Sequence, residues 1–93
     1  MMKQINYSAE KNLQLIIERG VSFEDVILEI EGGRIIDVLE HPNKLKYPNQ
    51  YMLVIRLNNY IYLVPFIETK QEMFLKTIYP SRKANTIYNH EKI

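Results

Sequence analysis

Residues 51–67 read YMLVIRLNNYIYLVPFI, and this stretch decides the fold. Two runs rich in β-branched and aromatic residues, 51–57 and 60–67, flank the pair Asn58-Asn59. Such runs favour β-strands, and a two-residue loop of asparagines is typical of a tight hairpin turn. The sequence therefore predicts an antiparallel hairpin at the centre of a sheet.

The turn also predicts which side chains share a face, because neighbouring residues of a strand point to opposite sides. Leu57 is placed opposite Tyr60, and Tyr51 opposite Phe66. With a symmetric next turn, one face is aliphatic and carries Met52, Val54, Ile61, Leu63, Ile67, Met73 and Leu75. The other face is aromatic and carries Tyr51, Tyr60, Tyr62, Phe66, Phe74 and Lys76. We expect the N-terminal helices on the aliphatic face.

The rest of the chain supplies helices before the strands and one after them. The pattern predicts a strand over 3–7, helices from Ser8 to Gly20 and from Ser22 to Gly32, strands over 34–39 and 73–79, and a last helix from Ser81 to about Asn89. The apolar stripes of the first two helices are Leu13, Ile16 and Ile17, then Phe23, Val26, Ile27 and Ile30. This order predicts an α+β fold, in which two N-terminal helices pack on a four-stranded antiparallel sheet, with or without the short N-terminal strand, and a short C-terminal helix follows.

Length and composition indicate one globular domain over residues 1–93. The chain is 46% hydrophobic and 25% charged, which is close to the globular average. It has no cysteine, which excludes disulfides and thiolate metal sites. No apolar run approaches the roughly 18 residues of a membrane helix, and the start lacks the apolar core of a signal peptide. We therefore expect a cytoplasmic protein.

Charge is unevenly distributed on a chain whose net charge is only +1. Residues 24–40 contain six acidic residues, whereas after Glu40 eight lysines and arginines outnumber three glutamates. A basic C-terminal half can form a local positive face that attracts a nucleic acid. Ordinary solvated surface charge is the alternative.

Three short motifs carry a resemblance to a known family. Residues 8–12 read SAEKN, residues 18–26 read ERGVSFEDV, and residues 79–84 read YPSRKA. Together they resemble the opening and closing motifs of the BrnT-like toxins of bacterial type II toxin–antitoxin pairs, and the likeness extends from about residue 7 to 88. The chain departs from the closing motif at Pro80 and has fewer arginines near its C-terminus.

The resemblance implies a RelE-like fold and a small endoribonuclease that cleaves RNA to inhibit translation and growth. It also implies a cognate antitoxin that neutralises the toxin, often with a ribbon-helix-helix DNA-binding domain, in a complex that represses its own operon. The motif at 18–26 is physically a helix stop followed by a helix cap, so it supports the fold more than the activity.

RNA cleavage by internal transesterification needs a base, a cation on the phosphate and an acid for the leaving oxygen, and it requires no metal. Arg82, in the closing motif, suits the phosphate because a guanidinium reaches two oxygens. Lys76 and Arg56 are further cations, Tyr79 is a proton donor or phosphate ligand, and His41 is an acid or base near neutral pH. The alternatives are surface charges, a buried strand tyrosine and a solvated loop histidine.

Candidate RNA-binding residues lie around these. They are Lys83, Lys44, Lys46, Tyr51 and Tyr62, since lysines contact phosphates and aromatic rings stack on bases. With only two histidines and scattered carboxylates, the sequence predicts neither a metal site nor a cofactor.

Two other functions remain open. One is a non-catalytic protein-binding module of the same fold. The other is a structural or regulatory protein of mobile DNA that makes no RNA contact.

Overall fold

The computed structural model describes residues 3–89. Its elements in chain order are β1 (Gln4–Tyr7), α1 (Ala9–Arg19), α2 (Phe23–Glu31), β2 (Asp37–Glu40), β3 (Gln50–Leu57), β4 (Tyr60–Glu68), β5 (Glu72–Leu75), β6 (Tyr79–Pro80) and α3 (Arg82–Tyr88). The α+β class is confirmed.

The predicted four-stranded antiparallel sheet is wrong, because the sheet is mixed and has six strands in the order β1-β5-β4-β3-β2, with β6 also paired to β4. The N-terminal strand joins the sheet and runs parallel to β5. The strand expected over 73–79 is split into β5 and β6.

A change of register on β4 explains the split. Leu75 pairs with Phe66, whereas Tyr79 pairs with Leu63, so the chain gains one extra residue between the two pairs. An extra residue in one strand is a bulge, and it shifts the following side chains to the other face. The bulge lies opposite Pro65, which has no N–H to donate and accepts a hydrogen bond from the Lys76 N–H at 2.8 Å.

The central hairpin is confirmed in turn and register. Asn58 and Asn59 have φ values of +52° and +65°, as both central residues of a type I′ turn require. Leu57 pairs with Tyr60 at one end of the hairpin, and Tyr51 pairs with Phe66 near the other.

The expected choice of faces is reversed, and Met73 and Leu75, which were expected on the aliphatic face, lie on the other face with Phe66. Helices α1 and α2 cover the face that was called aromatic, where their residues Leu15, Val21, Phe23 and Val26 share one core with Leu53, Ile55, Leu57, Val64 and Phe66. Helix α3 lies on the other face, where Ala84 packs with Val54, Ile61 and Leu63. Both faces of β3 are therefore buried, so the contrast between aliphatic and aromatic residues could not tell which helices cover which face.

Serine caps begin all three helices, as predicted. Ser22 forms a capping box with Asp25, and Gly20 ends α1 in the left-handed conformation at φ +69°. The predicted stripe of α1 is wrong, however. Leu15 and Asn12 face the core, whereas Leu13 and Ile17 are 62% and 82% exposed.

The buried Asn12 accounts for this rotation of α1. Its Oδ1 accepts the N–H of Phe23 at 2.7 Å, and its Nδ2 donates to Oε1 of Glu24 at 2.8 Å. The hydrogen bond from Asn12 is the main reason that the pKa of Glu24 is lowered. These bonds join α1 to the first turn of α2, so α1 must turn Asn12 inwards and leave Leu13 and Ile17 outside.

Candidate functional site

An open groove crosses the face of the sheet that α3 occupies. Helix α3 is seven residues long and covers only the part of this face near Val54, Ile61 and Leu63. The uncovered part, with a volume of about 330 Å³, is lined by His41, Pro42, Gln50, Tyr51, Met52, Pro65, Lys76 and Tyr79. We call it the Lys76 groove.

Three of the five catalytic candidates meet in this groove, although they come from different segments. His41 follows β2, and its N–H donates to the carbonyl of Gln50 at 3.1 Å. Lys76 lies in the bulge, and Tyr79 lies in β6. The bulge therefore brings Lys76 and Tyr79 to the same groove as the loop histidine.

The groove is electrostatically suited to an anion. Lys76 is exposed, and among residues 3–89 it forms no ion pair with a carboxylate. None of the lining residues is an aspartate or a glutamate. A cation without a competing carboxylate can bind and stabilise negative charge on a phosphate.

The loop holds the imidazole ring of His41 in place. Its Nδ1 accepts the N–H of Asn43 at 3.0 Å, and its ring packs on that of Tyr47 with centroids 4.5 Å apart. Because Nδ1 accepts a hydrogen bond, the neutral ring carries its proton on Nε2. His41 is therefore a hydrogen-bond donor to any ligand that reaches Nε2.

The hydroxyl group of Tyr79 is a hydrogen-bond donor with a weak acceptor. It donates to Sδ of Met52 at 3.5 Å, and a thioether sulfur accepts hydrogen bonds only weakly. A phosphate or sugar oxygen in the groove would be a stronger acceptor for the same proton.

The other two catalytic candidates lie outside the groove. Arg82 is the exposed first residue of α3, three residues beyond Tyr79. Arg56 lies four residues beyond Met52 along β3, which corresponds to about 13 Å at the usual rise of a strand. Its Nε donates to Oδ1 of Asn89 at 3.1 Å, and it lines a separate cleft with the carboxylates of Asp25 and Glu29.

The predicted RNA-binding residues are spread over several surfaces. Lys44 pairs with Glu40 at 3.1 Å, and Nζ of Lys46 lies 5.5 Å from the centroid of the Tyr47 ring. Lys83 is exposed on α3. These three lysines therefore lie on two separate segments of the surface.

The two tyrosines differ in their access to the groove. Tyr51 lines it, with its ring stacked on Phe66 at 5.6 Å between centroids. Tyr62 packs against the core that α1 and α2 cover, with Tyr60 edge-on at 6.2 Å. The face of the sheet that carries these tyrosines thus lies under the two helices.

Asn43 and Tyr47, which position His41, were missed as functional residues. The sequence pattern of 41–50 predicts a loop but not its internal contacts. The signal was an asparagine two residues after a histidine, at a spacing where a loop can fold a backbone N–H onto the imidazole ring.

Comparisons of the chain with protein-family models, curated proteins and solved structures give no match. Within residues 3–89, no cluster of three or more histidines, aspartates or glutamates is placed to hold a metal ion. In the same residues, no helix has the length and apolar character needed to cross a membrane.

Proposed function

We propose that this protein is a metal-independent endoribonuclease toxin of a type II toxin–antitoxin pair. The observation that carries the proposal is the meeting of His41, Lys76 and Tyr79 in one groove, to which residues 3–89 contribute no carboxylate. The motifs at 18–26 and 79–84, which resemble those of BrnT-like toxins, favour the assignment to such a pair. A cognate antitoxin would then keep the protein inactive.

The chemistry assigned to the groove is internal transesterification. The 2′-oxygen of a ribose attacks the adjacent phosphorus, and the bond to the 5′-oxygen breaks, which leaves a 2′,3′-cyclic phosphate. Lys76 and Nε2 of His41 hold the phosphate oxygens, and Tyr79 protonates the departing 5′-oxygen. A water molecule acts as the base that takes the proton of the 2′-hydroxyl, and Tyr79 regains a proton from solvent, to which the groove is open.

The proposal is tested with purified protein, a single-stranded RNA and excess EDTA. We expect products that end in a 2′,3′-cyclic phosphate and a 5′-hydroxyl, and no cleavage where a 2′-deoxynucleotide replaces the ribose at the cleavage position. Induced expression should arrest bacterial growth together with RNA breakdown. Intact RNA after incubation with a folded protein that also leaves growth unimpeded would contradict the proposal.

A non-catalytic protein-binding module is the second candidate. The observation that favours it is the apolar surface of α1, where Leu13 and Ile17 are largely exposed one helical turn apart. Exposed apolar patches on small domains often bind other proteins. The binding partner that suits this function is the cognate antitoxin that the resemblance implies.

We expect the double substitution Leu13→Glu and Ile17→Glu to abolish co-purification of the antitoxin, because two charges would have to be buried at the interface. Pull-down and calorimetry measure the effect, and Lys76→Ala serves as the control that should still bind. Binding by the double variant at wild-type strength would exclude this surface. Binding by the wild type without any RNA cleavage would favour the module over the enzyme.

A further inference from the structure

A second groove adjoins the Lys76 groove at the end of the sheet. It has a volume of about 590 Å³ and lies between the loop before β3 and the turn 69–71. Tyr51 lines both grooves, and it also lines a small cleft beside them, to which Glu40, Lys44 and Gln50 contribute. A nucleic-acid strand that occupied both grooves would follow a path past Tyr51, the second residue of β3.

Among the described residues, two lysines and one glutamate line the second groove, namely Lys3, Lys70 and Glu68. Its glutamate, Glu68, is paired with Nζ of Lys3. Lys70 is exposed and forms no ion pair with a carboxylate in the part of the chain that the structure describes. Lys70 is thus available to a phosphate, as Lys76 is in the first groove.

The backbone around Lys70 is held in one conformation. Oγ1 of Thr69 accepts the N–H groups of Gln71 and Glu72 at 3.3 and 3.1 Å, which closes the turn. The N–H of Glu68 donates to the carbonyl of Asn49 at 2.9 Å and joins this turn to the loop. A fixed turn presents the lysine without a large ordering cost when a ligand binds.

Tyr51 is the residue that lines both grooves. It is half-buried, and its stacking on Phe66 anchors it. An anchored aromatic ring between two cations suits a nucleic-acid strand, because the ring can stack on a base while the lysines contact phosphates on either side.

We infer that the second groove is a subsite for the nucleotides next to the scissile phosphate, so that the substrate is a single-stranded RNA longer than a dinucleotide. The inference rests on the proposed function. The path passes from the face that α3 covers, where Met52 and Pro65 lie, towards the face of Tyr51 and Glu68. A flexible single strand can follow this turn, whereas a duplex is too stiff to bend so sharply.

The test compares wild type and Lys70→Ala on RNAs of two, three, four and six nucleotides. In the wild type we expect kcat/KM to rise with length beyond the dinucleotide. In Lys70→Ala we expect the dinucleotide to be cleaved normally and the longer RNAs to lose about tenfold, as for a lost hydrogen bond to a charged group. Lys11→Ala, which removes the same charge from α1, should match the wild type.

Binding of 2′-O-methyl oligonucleotides of the same lengths, followed by fluorescence anisotropy, tests the subsite without cleavage. We expect affinity to increase with length, Lys70→Ala to remove that increase, and a duplex of equal length to bind more weakly. Length-independent affinity, or an unchanged increase in Lys70→Ala, would overturn the subsite even if the protein cleaves RNA. Length-dependent binding that requires Lys70, without cleavage of the matching RNA, would support the subsite and contradict the proposed reaction.

Discussion

Replacing Lys76 with alanine is expected to slow RNA cleavage by about 10²- to 10³-fold, the usual effect of removing one group that stabilises transition-state charge. Among the residues that the structure describes, Lys76 is the one lysine or arginine that lines the groove with His41 and Tyr79. Negative charge on the phosphate increases in the transition state, so the missing ammonium raises the barrier to reaction. Single-turnover rates with saturating protein measure the chemical step directly.

The stability of Lys76→Ala should match that of the wild type within about 0.5 kcal/mol, because the side chain is exposed. Lys11→Ala is the matched control, since it removes a lysine from α1, which lies outside the groove, and it should cleave at the wild-type rate. Lys76→Arg keeps the charge and should retain more activity than alanine. If Lys76→Ala is fully active and Arg82→Ala is not, the reaction centre lies at the start of α3 instead.

The local features of the fold could be predicted because they depend on neighbouring residues. The asparagine pair at 58–59 determines the hairpin turn and its register. The serine caps and Gly20 set the helix boundaries within a residue or two. Each of these signals lies within a few residues of the structure it specifies.

The arrangement of layers could not be predicted in the same way. Buried residues lie on both faces of β3, so hydrophobicity alone does not say which helices cover which face. The turn after β4 is one residue away from the symmetric register, because Phe66 pairs with Leu75 and not with Phe74, and the bulge after Leu75 then changes the faces a second time. Contacts between distant segments, such as Asn12 with the first turn of α2, likewise leave no local pattern.

The same reasoning explains the outcome for the candidate site. His41, Lys76 and Tyr79 were chosen for their chemistry, and the structure brings them to one groove. The symmetric turn assumed in the sequence put Lys76 and Tyr79 on opposite faces. Arg56 is separated from them because the confirmed register keeps it near the hairpin turn, at the far end of β3.

Substituting Phe23 with alanine is expected to destabilise the protein by about 3–5 kcal/mol, the usual loss when a buried phenylalanine is truncated. Phe23 is fully buried at the start of α2, and its ring lies 4.9 Å from that of Tyr7 between centroids. Its removal leaves a cavity between α2 and the sheet, which the helix start cannot close because the Phe23 N–H is bonded to Asn12. Urea denaturation followed by circular dichroism measures the loss.

Leu28→Ala is the control, because it removes an apolar side chain from the same helix at a position that is 59% exposed. It should change the free energy of unfolding by no more than about 0.5 kcal/mol. Equal losses in the two variants would mean that α2 does not pack on the sheet through Phe23.

The losses of cleavage activity caused by Lys76→Ala and by Phe23→Ala should be distinguishable in one experiment. A domain of this size has a total stability of about 5–15 kcal/mol, so Phe23→Ala brings it close to the point where the unfolded state is populated. Its cleavage activity should then fall in proportion to the folded fraction and recover when a bound oligonucleotide stabilises the folded state. Lys76→Ala should stay slower than the wild type by the same factor at any folded fraction, because its defect lies in the chemical step and not in the population of the fold.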